Sequence, residues 1–278
     1  FRRVLFRSIS GCIFTNHTTT FGPGIFNRNS PLNISNCTFT NNQVYTNPGG
    51  VNGSGINTSG STGTITNCRF INNGGLGSIS IGDGALVEIT RCSFSVNIYG
   101  IALSEASPNI SNCLFTGNSY GGVVAWYGAS TPVITNCTFS ENPGSGLGSI
   151  SNYGDNSPIL KNCIIWGSGN SVYVQGGKPA VTITNSIVKQ PSGVYTGTGN
   201  LNVDPLFINA ADPDGADNIW MTADDGLALT PCSPAINVGD NTGIAANATD
   251  IVGNPRIYNN GTVDMGAYES QATLTAAP

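Results

Sequence analysis

The chain of 278 residues carries eight cysteines, fifteen carboxylates and one histidine, together with scattered tyrosines and tryptophans, as its chemically capable side chains. The cysteines lie at 12, 37, 68, 92, 113, 137, 163 and 232, with no C-x-x-C pair among them, which argues against zinc. Asp212, Asp214, Asp217, Asp224 and Asp225 crowd into one Gly-containing stretch. Such a loop could give Ca2+ the several oxygen ligands it takes, although the spacing is not that of an EF-hand; the alternative is a solvated Asp- and Gly-rich turn. Tyr99 and Tyr120 each fall seven residues after a cysteine, with Trp126, Tyr127 and Tyr153 further along. Aromatics exposed in a row offer apolar faces to sugar rings, and the plainer reading is that they cover Gly-rich turns.

The elements that must position these groups are repeats. Ile34-Ser35-Asn36-Cys37-Thr38-Phe39 returns as I-T-N-C-R-F at 65–70, I-T-R-C-S-F at 89–94, I-S-N-C-L-F at 110–115 and I-T-N-C-T-F at 134–139. Later copies read L-K-N-C-I-I at 160–165 and I-T-N-S-I-V at 183–188. The period is about 25 residues, that of a repeat architecture. Cys68 and Phe70 are two apart and face one way in a strand, whereas Ile65 and Cys68 are three apart and need a corner between them. Asn67 suits that corner because Asn tolerates left-handed backbone. A second Asn, at 42, 73, 97, 118 and 142, marks the next corner, and a third apolar run follows, as at 101–103 and 123–125. Three short strands and three corners per repeat describe a right-handed, three-sided parallel β-helix of about eight coils over residues 9–203, closed by a C-terminal cap. Its Ile, Cys and Phe stack in ladders, so the cysteines are read as buried free thiols, with Ser186 in the same column arguing for a size role.

Counted from the cysteines, Glu88 stacks between Thr64 and Asn109, Glu141 meets Gly117, and Arg69 lies between Thr38 and Ser93. On that count no two carboxylates share a column. Asp83, Asp155 and Lys161 remain scattered candidates, and His17 holds a corner position that is Asn elsewhere.

The I-[ST]-N-C-x-F-x-x-N unit resembles the β-helix repeats of the pectate-lyase-like superfamily and of polymorphic outer-membrane and adhesin-like proteins. Residues 202–269, with Asp204-Pro205-Leu206-Phe207, Ser233-Pro234-Ala235-Ile236-Asn237, Asp250-Ile-Val-Gly-Asn-Pro-Arg256 and Asp264-Met-Gly-Ala-Tyr-Glu269, resemble the C-terminal part of choice-of-anchor bacterial surface proteins. The first resemblance implies either a structural or glycan-binding protein or a carbohydrate-active enzyme, a polysaccharide lyase or glycoside hydrolase. Lyases need a base near calcium-binding carboxylates and hydrolases usually two carboxylates. Neither set is evident, so binding without catalysis is the expectation. The second implies a bacterial, extracytoplasmic location, secreted or on the cell surface.

Charge divides the chain further. Residues 9–203 hold five acidic and six basic residues, while 204–278 hold ten acidic and one basic, Arg256. Arg256 is expected to pair with Asp250, Asp264 or Glu269, and the acidity argues against nucleic acid. No apolar run reaches the ~18 residues of a membrane helix. Residues 1–8, Phe-Arg-Arg-Val-Leu-Phe-Arg-Ser, read as the in-frame translation of a sequencing-adapter end, the alternative being a natural basic segment; the adapter reading carries the expectation of a metagenomic fragment without its N-terminal coils or its anchor. A monomer with a polysaccharide or cell-surface glycan as partner is the functional expectation.

Overall fold

A computed structural model of the chain describes residues 8–19, 24–44, 53–143 and 148–271. The octapeptide at 1–8, apart from Ser8, and the last seven residues lie outside them. The described residues contain no helix, so none is long and apolar enough to cross a membrane. They form three parallel sheets that wind into a right-handed solenoid of about seven turns.

The first sheet has eight strands, from Ile9–Ser10 to Thr182–Thr184, and contains the Ile of each repeat. The second also has eight, from Ile13–Thr15 to Ile187–Val188, with the Phe at the middle of its first six, three-residue strands and Ile165 and Val188 in that column beyond them. The third has seven, from Ile25–Arg28 to Asn170–Val174, so the eighth turn lacks its third side. Strand registers match the sequence count: Phe70 pairs with Phe39 and Phe94, Glu88 with Thr64 and Asn109, and Arg69 with Thr38 and Ser93.

The ladders follow from that register. Phe14, Phe39, Phe70, Phe94, Phe115 and Phe139 stack with ring centroids 4.5–4.8 Å apart and planes within 3–5°. Room for the rings comes from glycines opening the third-sheet strands, since a Cβ at Gly100 or Gly122 would lie 2.8 or 2.6 Å from the ring of Phe115 or Phe139. Asn42, Asn73, Asn97, Asn118 and Asn142 are buried, and each of the first four side-chain amides reaches the next Asn oxygen at 2.9–3.2 Å. Each also donates to the carbonyl of the Phe one coil back, Asn97 to Phe70 at 3.0 Å for example. These amides satisfy backbone groups that the corner would otherwise leave unpaired.

All three corners use left-handed backbone. The first is the predicted Asn, with Gly11 in the first coil and Arg91 in another, at φ +47° to +66°. At the second the left-handed residue is the one before the ladder Asn: Asn16, Asn41, Asn72, Val96, Gly117 and Glu141. Val96 is the misfit, because a β-branched side chain is strained at φ +58°. Replacing this exposed residue, Val96→Asn, should raise stability by about 1 kcal/mol. An unchanged or lowered melting temperature would mean that the corner tolerates Val without strain.

The thiols behave as the ladder predicts. Cys37, Cys68, Cys92, Cys113, Cys137 and Cys163 are buried and unbridged, and each Sγ donates to the carbonyl two residues earlier at 3.1–3.4 Å. Ser186 plays the same part, donating to Thr184 at 2.7 Å and accepting the Cys163 N–H at 2.9 Å. Burial pushes the Cys37, Cys113 and Cys163 thiols upward, away from the reactive thiolate. Cys12 and Cys232 are exposed. In the native protein a thiol reagent should therefore label two cysteines quickly and the other six only on denaturation, as counted by intact mass.

The acidic segment closes a flank of the solenoid, where the sequence suggested an end cap. Trp220, Met221, Leu227, Ile251, Ala267 and Tyr268 pack on Leu114, while Leu229, Ala235, Ile236 and Met265 pack on Ile164 and Ile187, all on the outer face of the second sheet. That face is apolar or small enough to bury, with Ser93, Ser95, Thr116, Thr138 and Ser140 inside the contact. Residues 189–201 meet the open end instead: Tyr195 packs on the main core and donates to the Val181 carbonyl at 2.9 Å, and Leu201 bridges Ile187.

Arg256 fixes the flank. It is fully buried, donates to Asn112 Oδ1 at 2.8 Å and the Asn136 carbonyl at 3.2 Å on the solenoid corners, and pairs with Glu269 at 3.1 Å. Its remaining donors reach the Gly266 and Tyr268 carbonyls. Asp250 and Asp264 accept neighbouring backbone N–H groups rather than the guanidinium. Lys161, a catalytic candidate from the sequence, pairs with Asp240 at 2.8 Å and is thereby another tie to the flank.

Candidate functional site

The aromatics singled out from the sequence come together on the outside of the third sheet. Tyr99, Trp126, Tyr153 and Tyr173 lie on successive coils, although only Trp126 and Tyr153 follow corresponding paired residues, Ala125 and Asn152: these two stack at 4.6 Å and 17°, Tyr99 meets Trp126 edge-on at 5.9 Å, and Tyr173 leans on Tyr153 at 5.3 Å. Tyr99 and Tyr120 touch at 5.5 Å, as their common offset predicts, but tilted by 42°. Tyr99 is only 5% exposed against 43% for Tyr120, and burial pushes its phenol up to about 12. Rings in this row spend their faces on one another, so they build a wall rather than an open platform. Tyr127, 63% exposed, is the one that presents a free face.

The wall has a local cause. Leu103 pairs with Ala125 and Ser104 with Tyr127, so the strand Gly121–Tyr127 carries one residue more than its neighbour, Trp126, at a β-bulge. Bulges bend a strand and re-aim side chains. Here the bulge opens a cleft of about 360 Å³ lined by Trp126, Tyr127, Tyr153, Asp155, Gln175 and Lys178, with glycines 128 and 154 at its floor. Lys178 pairs with Asp155 at 3.2 Å. A larger cavity of about 620 Å³ beside Gln190 and residues 194–197 has no charged lining and runs past the end of the core at Val181 and Ile183.

The third corner supplies what counting from the cysteines missed. Asn29, Gly60, Asp83, Glu105 and Gly128 all have φ between +49° and +86° and follow one another coil by coil, since Gly82 pairs with Ser59 and Ser104, and Ser104 with Tyr127. Asp83 and Glu105 therefore do share a column, contrary to the sequence count. Gly128 extends it to the cleft: a Cβ there would lie 2.5 Å from Glu105 Cγ. Gly154, next to Asp155, abuts the Gly128 carbonyl.

The acidic loop is differently employed. Asp225 is buried, accepts the Met221 N–H at 2.9 Å and the Tyr268 hydroxyl at 2.6 Å, and burial pushes its carboxyl up to about 6. Asp224 takes the Thr222 hydroxyl at 2.7 Å and the Asp217 N–H at 3.2 Å, and Asp217 caps Ile219 N–H at 2.7 Å. Asp212 and Asp214 stand in the same turn-rich stretch, where the Asp212 carbonyl accepts the Gly215 N–H at 3.2 Å. Among the described residues no group of three or more Asp, Glu, His or Cys side chains is placed to hold a metal ion. These carboxylates serve turns and the flank contact. His17 keeps its corner role, its backbone N–H donating to Asn42 Oδ1 at 3.1 Å.

Three parallel sheets, left-handed corners and internal ladders define the class as a right-handed parallel β-solenoid. The chain belongs to the right-handed beta helix region family, whose profile matches residues 6–109 and 54–209. No curated protein sequence matches it. The fold supports a place in the pectate-lyase-like superfamily.

Proposed function

We propose that this is a bacterial cell-surface or secreted β-helix protein that binds a glycan, in an adhesive or structural role, at the cleft formed by Trp126, Tyr127 and Tyr153. The observation that carries the reading is the bulge at Trp126, which sets an exposed Tyr127 face beside Asp155, Gln175 and Lys178. An aromatic face with a few polar groups around it is the chemistry of sugar recognition. Resemblance of residues 202–269 to surface proteins supports the location, and in this chain the motif residue Arg256 docks that segment onto the solenoid, while Glu269, Asp250 and Asp264 tie the segment together around it. The test is affinity electrophoresis of the monomeric protein in gels cast with a panel of polysaccharides. Retardation by at least one, lost in Tyr127→Ala, is expected; equal mobility in every gel would overturn the proposal.

The second reading, a carbohydrate-active enzyme, draws on the shared column of Asp83 and Glu105, two exposed carboxylates on adjacent coils, the kind of pair that glycoside hydrolysis uses. It requires reducing ends, or the absorbance of an unsaturated product, to accumulate with the protein and to stop accumulating in Glu105→Gln.

A further inference from the structure

We infer that the cleft selects an uncharged glycan laid along the solenoid axis and rejects polyanionic ones. The inference rests on the glycan-binding reading and names the ligand class of that site.

Asp83, Glu105 and Asp155 follow the third corner along the axis, and the cleft-side cation, Lys178, already pairs with Asp155 at 3.2 Å. The local charge is therefore negative. A uronate or sulfated chain would bring like charges against this rim, and its carboxylates would have to displace Asp155 from Lys178. Sugar hydroxyls face no such conflict. Hydroxyl donors to a carboxylate make short, charge-assisted hydrogen bonds, and one carboxylate can accept two neighbouring hydroxyls at once.

Geometry supplies the direction. Glu105, Gly128 and Gly154-Asp155 stand on successive coils, about 4.8 Å apart as parallel strands are. The coil rise is close to the length of one pyranose residue. Gly128 leaves a notch that no larger residue fits, because a Cβ would meet Glu105 Cγ. A linear glycan along the axis thus meets Glu105 before the notch, the Tyr127 face beside it, and Asp155 with Gln175 beyond it.

The experiment compares uncharged polysaccharides (a β-glucan, a mannan and an unsubstituted xylan) with polygalacturonate, alginate and hyaluronan in affinity gels at low salt. Glu88→Gln, on the outer face of the first sheet, serves as the control. Retardation by an uncharged polymer and by none of the polyanions is expected, with Glu105→Gln and Asp155→Asn each weakening it at least tenfold and Glu88→Gln unchanged. Both substituted carboxylates are exposed, so folding is preserved, which circular dichroism checks. Retardation by a polyanion that vanishes in Lys178→Gln would overturn the inference while leaving glycan binding standing, as would uncharged-polymer binding indifferent to both carboxylate substitutions. Retardation by no polymer would overturn the binding reading and the inference together.

Discussion

Phe115→Ala should lower the unfolding free energy by about 3–5 kcal/mol, read from chemical denaturation. The ring is fully buried between Phe94 and Phe139 at centroid distances of 4.7 and 4.5 Å, so truncation removes contacts on both faces. Collapse cannot fill the gap easily, because the coil spacing is fixed by backbone hydrogen bonds and by the Asn ladder beside it. A repeat protein's stability is largely nearest-neighbour, so the loss should be felt by the coils on either side. Leu114, adjacent in sequence, faces the other way into the flank contact. A loss below about 1 kcal/mol would mean that the Phe column is not the interior.

Arg256→Leu should destabilise the docked acidic segment by about 3–5 kcal/mol, since removing one partner of a buried pair strands the other. The stranded groups are Glu269, Asn112 Oδ1 and the carbonyls that the guanidinium now satisfies. The expected readout is a low-temperature unfolding step with new protease sensitivity between 204 and 271, the solenoid itself surviving. The same cluster gives a pH dependence. Burial, reinforced by Asp264 and opposed by Arg256, pushes the Glu269 carboxyl up to about 8. Folded Glu269 then holds its proton more tightly than the unfolded chain does. Its contribution is present at low pH and is lost as the pH rises through about 8, so docking should weaken from pH 5 to 8.5. Glu269→Gln should flatten that slope.

The solenoid was legible because its signals are local and repeated. Ile65, Asn67, Cys68, Phe70 and Asn73 each do in one coil what their counterparts do in the next, so spacing alone gives side, corner and ladder. The third corner was not legible. Asp83 lies 15 residues after Cys68 but Glu105 lies 13 after Cys92, so counting from the cysteines sets them in different columns, although strand pairing puts them in one. Trp126 was visible as an aromatic, but its bulge exists only relative to the shorter neighbouring strand Tyr99–Ser104. The flank was missed for a different reason. A solenoid has an open end and a groove-like side, both apolar, and nothing within residues 204–271 distinguishes them. The pairing of Arg256 was foreseen among three carboxylates, yet its ties to Asn112 and Asn136 need the docked arrangement.

The central claim is that function sits where the repeat is broken, at the Trp126 bulge, and the most direct measurement is calorimetric titration with the polysaccharide that retards the protein, comparing the native chain with Tyr127→Ala. Tyr127 is exposed and holds no core contact, so the variant folds as the parent does. At least a tenfold loss of affinity is the predicted result. Equal affinity in the two proteins would place the ligand elsewhere and contradict the account.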